Sequence, residues 1–284
     1  MANAPFSVVE AEIFIPELWT PTLLESVKSK LVMAGLCVDR SAQARGGDTL
    51  YIPKLGPMVA NTKQPKQSVT LQQPTSTLEK LEINDHIEAS ILIEDAVSAV
   101  SKYNLLDEFI RVEGANAIAR KFDSDLLALY ADVDEAVDAA DHTGDDFKED
   151  LLHMLRLLNE ADTPEEERFL VISPLTLERL LDLDPVISRD YNPQASGWVS
   201  GTINQLLGAQ IFVTNQVPKT TSSGVTMHHN LFFQRNAFTW AIALGPRVQF
   251  QYLQDKLGTL ATADMTYGLL AQRPEFAVEF TVTE

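Results

Sequence analysis

Cysteine is almost absent from this 284-residue sequence, which contains only Cys37. A single cysteine excludes an intramolecular disulfide framework and any zinc site built from several cysteines, and it is typical of proteins that mature in a reducing cytoplasm. No run of eighteen apolar residues occurs, and the N-terminus lacks a positive segment followed by an apolar core. We therefore expect a soluble, intracellular chain without a membrane-spanning helix or a signal peptide.

Basic residues are scarce, since 22 Lys and Arg stand against 40 Asp and Glu, which gives a formal charge of −18. This balance excludes a dedicated DNA-binding module, because neutralising phosphates requires a basic face. Most of the excess is local, with fourteen acidic residues against Lys148 and Arg156 between Asp132 and Glu167, a net charge of −12. Segment 54–80 instead carries a net charge of +3. Its prolines and polar residues predict a long loop that cannot form a core of its own.

Apolar periodicity predicts a chain of mixed helices and strands. Thr20-Pro21 begins a short amphipathic helix, and segment 81–93 alternates apolar and polar residues, as a long half-buried strand does. Helical spacing from about Ser101 to Asp132 predicts a spine helix of roughly 45 Å that contains Gly114. Further helices are expected around 147–158 and after Ser173-Pro174, and alternation over 276–282 predicts a final strand.

No constellation of catalytic or metal-binding residues is recognisable. Cys37 could pair with any of five histidines (His86, His142, His153, His228 and His229), but none of these residues lies in a nucleophile signature, so an inert cysteine is favoured. The acidic residues from Asp132 to Asp146 lack the spacing of a helix-loop-helix calcium site and are better explained as a solvated loop and helix start. Adjacent histidines in a strand point to opposite faces. We expect no catalytic residue, no metal and no cofactor.

Four segments carry a resemblance to a known family. They are Phe14-Ile15-Pro16-Glu17-Leu18-Trp19, Gly47-Asp48-Thr49-Leu50-Tyr51-Ile52-Pro53, Asn230-Leu231-Phe232-Phe233-Gln234-Arg235-Asn236-Ala237-Phe238, and Tyr267-Gly268 with Arg273-Pro274-Glu275. Each motif is loose, and the order in which they occur over nearly the whole chain is the specific feature. In this order the chain resembles the major capsid proteins of tailed double-stranded DNA bacteriophages, which have the Hong Kong 97-type capsid fold.

The resemblance implies an α+β fold with four parts. Residues 1–50 would form an N-arm with its N-terminal helix, and residues 51–81 an extended β-hairpin loop. Residues 82–144 and 244–284 would form the peripheral domain with its long spine helix, to whose sheet the final strand would return. Residues 145–243 would form the axial domain.

The implied function is structural, without enzyme activity. Copies would assemble into hexamers and pentamers of an icosahedral shell that encloses double-stranded DNA without sequence-specific binding. The implied partners are a separate scaffolding protein, a portal protein and a possible decoration protein, with assembly in the host cytoplasm and a final place in the virion capsid. Two alternatives stay open at this point: an encapsulin-like compartment shell, and a cytoplasmic hydrolase that uses Cys37.

Particular residues follow from this interpretation. Lys54, Lys63 and Lys66 of the loop are expected at subunit interfaces, because a polar arm of about thirty residues becomes ordered only against another subunit. In the N-arm the residues singled out are Phe14, Ile15 and Trp19. Gly114 is the expected bend of the spine helix between the precursor and the mature shell.

Overall fold

The computed structural model describes residues 32–44, 47–56, 58–69, 71–73, 76–95, 113–139, 142–183, 205–222 and 224–284. The predicted N-terminal helix and the N-arm residues Phe14, Ile15 and Trp19 lie outside these residues. The first part of the predicted spine helix, 101–112, also lies outside them.

The described elements mix short helices with long strands. In chain order they are α1 (Met33–Leu36), β1 (Val38–Asp39), β2 (Thr49–Leu55), β3 (Ser76–Glu82), β4 (Asp85–Glu94), α2 (Ala115–Ala128) followed by a 3-10 turn (Leu129–Asp132), β5 (Glu135–Asp138), α3 (Asp145–Glu160), β6 (Arg168–Ile172), α4 (Pro174–Leu181), β7 (Gln205–Leu206), β8 (Ala209–Val213), β9 (Lys219–Ser222), β10 (Val225–Gln234), β11 (Phe238–Leu253), β12 (Gly258–Ala271), a 3-10 turn (Pro274–Phe276) and β13 (Ala277–Thr283).

A four-stranded sheet has the order β1-β11-β12-β4. β12 pairs antiparallel with β11 on one side and with β4 on the other. Its alternate residues Ala261, Ala263 and Met265 are buried on one face, whereas Thr262 and Thr266 on the other face are half-buried. This alternation places one face of the sheet on the core.

The single long strand predicted over 81–93 is in fact two strands. β3 ends at Glu82 and belongs to a hairpin with β2, while β4 begins at Asp85 and belongs to the four-stranded sheet. The backbone N–H of Ile83 donates to the Asp48 carbonyl (2.8 Å) and thus extends the hairpin to this junction. Alternation shows which side chains are buried but not which strand is the neighbour, so it could not reveal the change of sheet.

A seven-stranded sheet has the order β5-β13-β10-β6-β8-β7, and β9 also pairs with β10. The final strand β13 lies between β5 and β10, so the expectation that it returns to the sheet of segment 82–93 is wrong. β11 begins at Phe238, and the expected boundary between 243 and 244 therefore falls inside one continuous strand. The remaining division into four parts stays a prediction.

Two large cores lie on opposite faces of the seven-stranded sheet. The first joins that sheet to α2 and to the four-stranded sheet, with Phe122 of α2 edge-on to Tyr267 (4.7 Å between ring centroids) and Trp240 (5.7 Å). The second lies beneath α3 and α4 and contains Phe147 and Phe280. α2 is thus packed into the centre of the fold, as the spine-helix prediction requires.

The helix predictions that fall on described residues are confirmed. The spine helix ends with a 3-10 turn at Asp132, and α3 buries Phe147, Leu151 and Leu158 at the predicted spacing. Ser173 caps α4, where its side chain accepts the Thr176 backbone N–H (3.3 Å).

Candidate subunit-contact surfaces

The β2–β3 hairpin has one face packed on its own subunit. Ile52 and Leu81 lie on this inner face and form a small buried cluster with Ala44 and with Ala241 of β11. The approach is close, because a Cβ added at Gly268 of β12 would overlap the Glu82 carbonyl oxygen and come within 3.0 Å of Ile83 Cα. The base of the hairpin is therefore seated on the four-stranded sheet.

The opposite face of the hairpin is apolar and open to solvent. Tyr51 is 55% exposed and Leu78 is 65% exposed, and Pro53 lies beside them as the register partner of Leu78. The Lys80 ammonium lies over the Tyr51 ring, 5.9 Å from its centre, in a cation–π contact that leaves more than half of the tyrosine exposed. An ordered strand pair with an exposed apolar face is typical of an interaction site.

The loop beyond the hairpin continues this apolar surface. Met58, Val59, Val69 and Leu71 are all exposed, and Leu71 is 90% exposed. The loop is closed by the Gln72 side chain, which accepts the Val59 backbone N–H (3.0 Å) and donates to the Val59 carbonyl. Six of the twelve exposed large apolar side chains in the described part of the chain lie between Tyr51 and Leu78, so this segment differs from an ordinary solvated loop.

The three lysines predicted at interfaces lie in different environments. Lys54 Nζ is bound within its own chain, 2.9 Å from Glu275 Oε1 and 3.7 Å from Glu79 Oε1. Burial disfavours the charged form of Glu275, but the hydrogen bond from Lys54, a backbone hydrogen bond and the charges of Lys54 and Arg273 together outweigh it and hold the pKa of Glu275 below its ordinary value. Lys63 and Lys66 are exposed. An intermolecular role remains a prediction for all three lysines.

The acidic segment 132–167 lies on the surface. Its described carboxylates are exposed, apart from the half-buried Asp150. Asp150 accepts a hydrogen bond from His142 (2.7 Å), and this bond raises the pKa of His142. The segment therefore presents a strongly negative surface next to α3.

A buried carboxylate fixes the point where the N-terminal segment enters the fold. Asp123 of α2 accepts the backbone N–H groups of Val32 (3.1 Å) and Met33 (3.3 Å), which begin α1. Burial raises the pKa of Asp123 to about 6 in spite of these two bonds, which act in the opposite direction. Sequence reasoning missed this residue, although an Asp on the apolar face of the predicted helix was a usable signal.

The two adjacent histidines point to opposite faces of β10, as predicted. His229 hydrogen-bonds Glu279 (2.5 Å) and Thr220 (2.7 Å) and stacks on Tyr130 (4.2 Å between ring centroids). His228 is buried, and neither of its ring nitrogens has a hydrogen-bond partner among the described residues. Burial lowers the pKa of His228 and favours its neutral form. The pair does not converge on a common ligand position.

Cys37 is buried in the first core, and burial raises the pKa of its thiol well above the ordinary value. A thiol that stays protonated is a poor nucleophile, which argues against the hydrolase alternative.

Within the described ranges there is no cluster of three or more His, Cys, Asp or Glu side chains that could hold a metal ion. None of the described helices is long and apolar enough to cross a membrane.

Comparisons with known proteins agree with this architecture. A sequence model of the family described as phage capsid protein matches residues 37–284. The fold is similar to a structure from Mycobacterium phage Che8 (23% identity, 88% of this chain and 90% of that chain, TM-score 0.76). It is also similar to the capsid structure of cyanophage P-SCSP1u (19% identity, 89% and 88%, TM-score 0.75).

A virus-like particle from Pyrococcus furiosus shares the fold as well (12% identity, 93% of this chain and 98% of that chain, TM-score 0.60). At these identities the structural matches establish the fold alone. No curated protein sequence matches the chain.

Proposed function

The chain belongs to the phage capsid protein family as a structural major capsid protein of the virion capsid, and we propose that its copies form the hexamers and pentamers of an icosahedral head around double-stranded DNA. The observation that carries this proposal is the two-faced β2–β3 hairpin. Its inner face is buried on its own subunit, while Tyr51 and Leu78 on the outer face are exposed. Apolar surface held open on an ordered strand pair is stabilised when a neighbouring copy covers it.

The charge distribution supports the same proposal. The segment 54–80 carries a net charge of +3, and the segment 132–167 carries −12 and lies on the surface. Opposite charges on one kind of subunit favour contacts between copies, where the exposed Lys63 and Lys66 would contribute most. Lys54 would contribute less, because Glu275 and Glu79 of its own chain already hold it.

The proposed partners are a separate scaffolding protein during assembly in the host cytoplasm, a portal protein and a decoration protein. We assign no enzymatic step to the chain. Its exposed carboxylates would repel the DNA phosphates, so the shell would enclose DNA without binding it tightly. A lining of this kind would favour both packaging and release of the genome.

The test compares particle formation by the full chain and by variants of the hairpin, with and without a scaffolding protein. We expect the wild-type chain to form megadalton particles by light scattering and closed shells by negative-stain microscopy. Tyr51→Ser with Leu78→Ser should reduce shell yield at least tenfold, because the exposed apolar face is lost. Lys63→Glu with Lys66→Glu should reduce it in a salt-dependent manner.

Val225→Ser is the matched control, because Val225 is similarly exposed (44%) but lies at the start of β10, outside both the hairpin and the acidic segment. This variant should assemble normally. Subunits of every variant should melt at the wild-type temperature. Normal shells from the Tyr51 and Leu78 double variant would contradict the role of the hairpin, and a wild-type chain that stays a small oligomer under all conditions would contradict the proposed function.

A further inference from the structure

We infer that Thr220 is a nucleophilic hydroxyl, activated by His229 and Glu279, that accepts an acyl group from an activated carboxylic ester. This modification site goes beyond the proposed shell function and does not rest on it. The three side chains come from β9, β10 and β13, so the pairing of strands in the seven-stranded sheet brings them together. No local signature in the sequence identifies them, because His229 and Glu279 are fifty positions apart.

Two hydrogen bonds in series link the three side chains. Glu279 Oε1 lies 2.5 Å from His229 Nδ1, and His229 Nε2 lies 2.7 Å from Thr220 Oγ1. In the neutral ring, a proton on Nδ1 is donated to the carboxylate, and Nε2 then accepts the proton of the Thr220 hydroxyl. A hydroxyl bonded to a histidine whose other nitrogen is held by a carboxylate is the arrangement that activates a hydroxyl nucleophile.

Burial differs along this series in the way that the chemistry requires. The side chains of His229 and Glu279 are only 10% and 16% exposed. The Tyr130 ring stacks on the imidazole, with 4.2 Å between the ring centroids. Thr220, at the other end of the series, is exposed on β9. The base and the carboxylate are therefore held in a fixed orientation, while the threonine is open to a reagent from solvent.

The backbone beside Thr220 offers a donor for the acyl oxygen. Among the described strands, β9 pairs with β10 alone. The backbone N–H of His229 donates to the Pro218 carbonyl, and the same ladder pairs Thr220 with Met227. Because successive residues of a strand turn their N–H groups to opposite edges, the N–H of Thr221 points to the outer edge of β9. The N–H that follows a nucleophile is one of the donors that stabilise the oxyanion in acyl transfer.

The acyl transfer is complete within these groups and the ester. Thr220 Oγ1 attacks the acyl carbon and forms the new C–O bond, while its proton passes to His229 Nε2. The Glu279 carboxylate stabilises the imidazolium that results. The bond between the acyl carbon and the leaving oxygen then breaks, and this oxygen takes the proton from His229. The products are acylated Thr220 and a free alcohol.

The experiment treats the full chain with p-nitrophenyl acetate and locates acetyl groups by peptide mass mapping. We expect Thr220 to be acetylated before any other hydroxyl group. Thr220→Val should abolish this reaction, and His229→Gln and Glu279→Gln should each slow it at least tenfold. Thr220→Ser keeps a hydroxyl and should retain it. Thr221→Val is the matched control and should react at the wild-type rate, because the Thr221 hydroxyl lies beside that of Thr226 (3.3 Å) rather than on a histidine.

Thermal melting of each variant shows whether its fold is retained. If His229→Gln melts at a lower temperature, Glu279→Gln still tests the series, because glutamine has nearly the same size and keeps a hydrogen-bonding side chain. Acetylation of the adjacent Lys219 with Thr220 unmodified would overturn the inference. Reaction of a folded Glu279→Gln variant at the wild-type rate would overturn it as well. Neither result concerns particle formation, so both leave the proposed function intact.

Discussion

Asp123 lies on the buried face of α2 together with Ala119, Leu126 and Leu127, where an ionised carboxylate is costly. Two backbone N–H groups of the entering N-terminal segment compensate part of that cost. Every residue except proline has a backbone N–H group. The types of residues 32 and 33 therefore do not identify them as hydrogen-bond donors to Asp123. In the sequence, Asp123 is visible only as a polar residue that interrupts the apolar face of the predicted helix.

The raised pKa of Asp123, about 6 against an ordinary value of 3.8, predicts a pH dependence of subunit stability. The folded state binds the proton more tightly than the unfolded state, so this group stabilises the fold below about pH 4 and loses that contribution as pH rises through about 6. Between about pH 7.5 and pH 5 the free energy of unfolding should gain about 1 kcal/mol from this group, and about 3 kcal/mol at lower pH. Urea unfolding of the unassembled subunit at several pH values measures it.

Asp123→Asn should remove this gain while leaving the other titrating groups unchanged, so the difference between wild type and variant isolates the effect. Asp125 would be a poor control, because it is half-buried and accepts a hydrogen bond from the Tyr267 hydroxyl (2.5 Å). Asp255→Asn is the better control, because Asp255 is exposed in the turn between β11 and β12, and this variant should keep the wild-type pH dependence of unfolding. Identical pH profiles for wild type and Asp123→Asn would contradict the assignment.

At the scale of elements, the local sequence pattern predicts the helices but not which strands pair with each other. α3, α4 and the end of the spine helix were predictable, because helix periodicity and caps are encoded within each segment. The separation of β3 from β4 was not, and neither was the position of β13 between β5 and β10. Strand neighbours are chosen by packing between segments far apart in the chain, which alternation within one strand does not report.

Gly268 provides a test of how the β2–β3 hairpin is seated. Gly268→Ala should destabilise the subunit by about 1–3 kcal/mol and loosen the hairpin, because the added methyl group would overlap the Glu82 carbonyl. Gly245→Ala in the neighbouring strand is the matched control, since a Cβ at Gly245 meets nothing within 4 Å and its φ is not positive. Thermal melting and amide exchange of residues 76–82 measure both effects. Equal melting temperatures for the two variants would contradict the close seating.

At the scale of the whole molecule, one helix contacts both large sheets. α2 packs on both sheets through the first core, and its start at Gly114 is a buried π-helical turn. Such turns often mark sites of kinking in helices. A change of direction at Gly114 would therefore shift the two sheets relative to the chain that precedes it.

We expect the helix direction at Gly114 to differ between precursor and mature shells, as cryo-electron microscopy of both states would measure. Gly114→Ala should slow expansion of the precursor, because glycine accommodates a changed backbone more readily than alanine. Ala117→Gly, at an exposed position of the same helix, is the control for altered helix propensity and should expand at the wild-type rate. An equal bend in both states would exclude Gly114 as the hinge.

Sequence pattern alone was sufficient for the fold class, the structural family and the helices, because periodicity, caps and the order of motifs are properties of the linear chain. The contacts of individual side chains followed from packing. Lys54 and Lys63 both lie in the polar segment 54–80. Folding nevertheless brings Glu275 to within 2.9 Å of Lys54 and leaves Lys63 exposed. The Leu257 carbonyl likewise accepts a hydrogen bond from the backbone N–H of Asp95, a residue more than 150 positions earlier. Such long-range contacts depend on which segments pack together, and no local pattern encodes that choice.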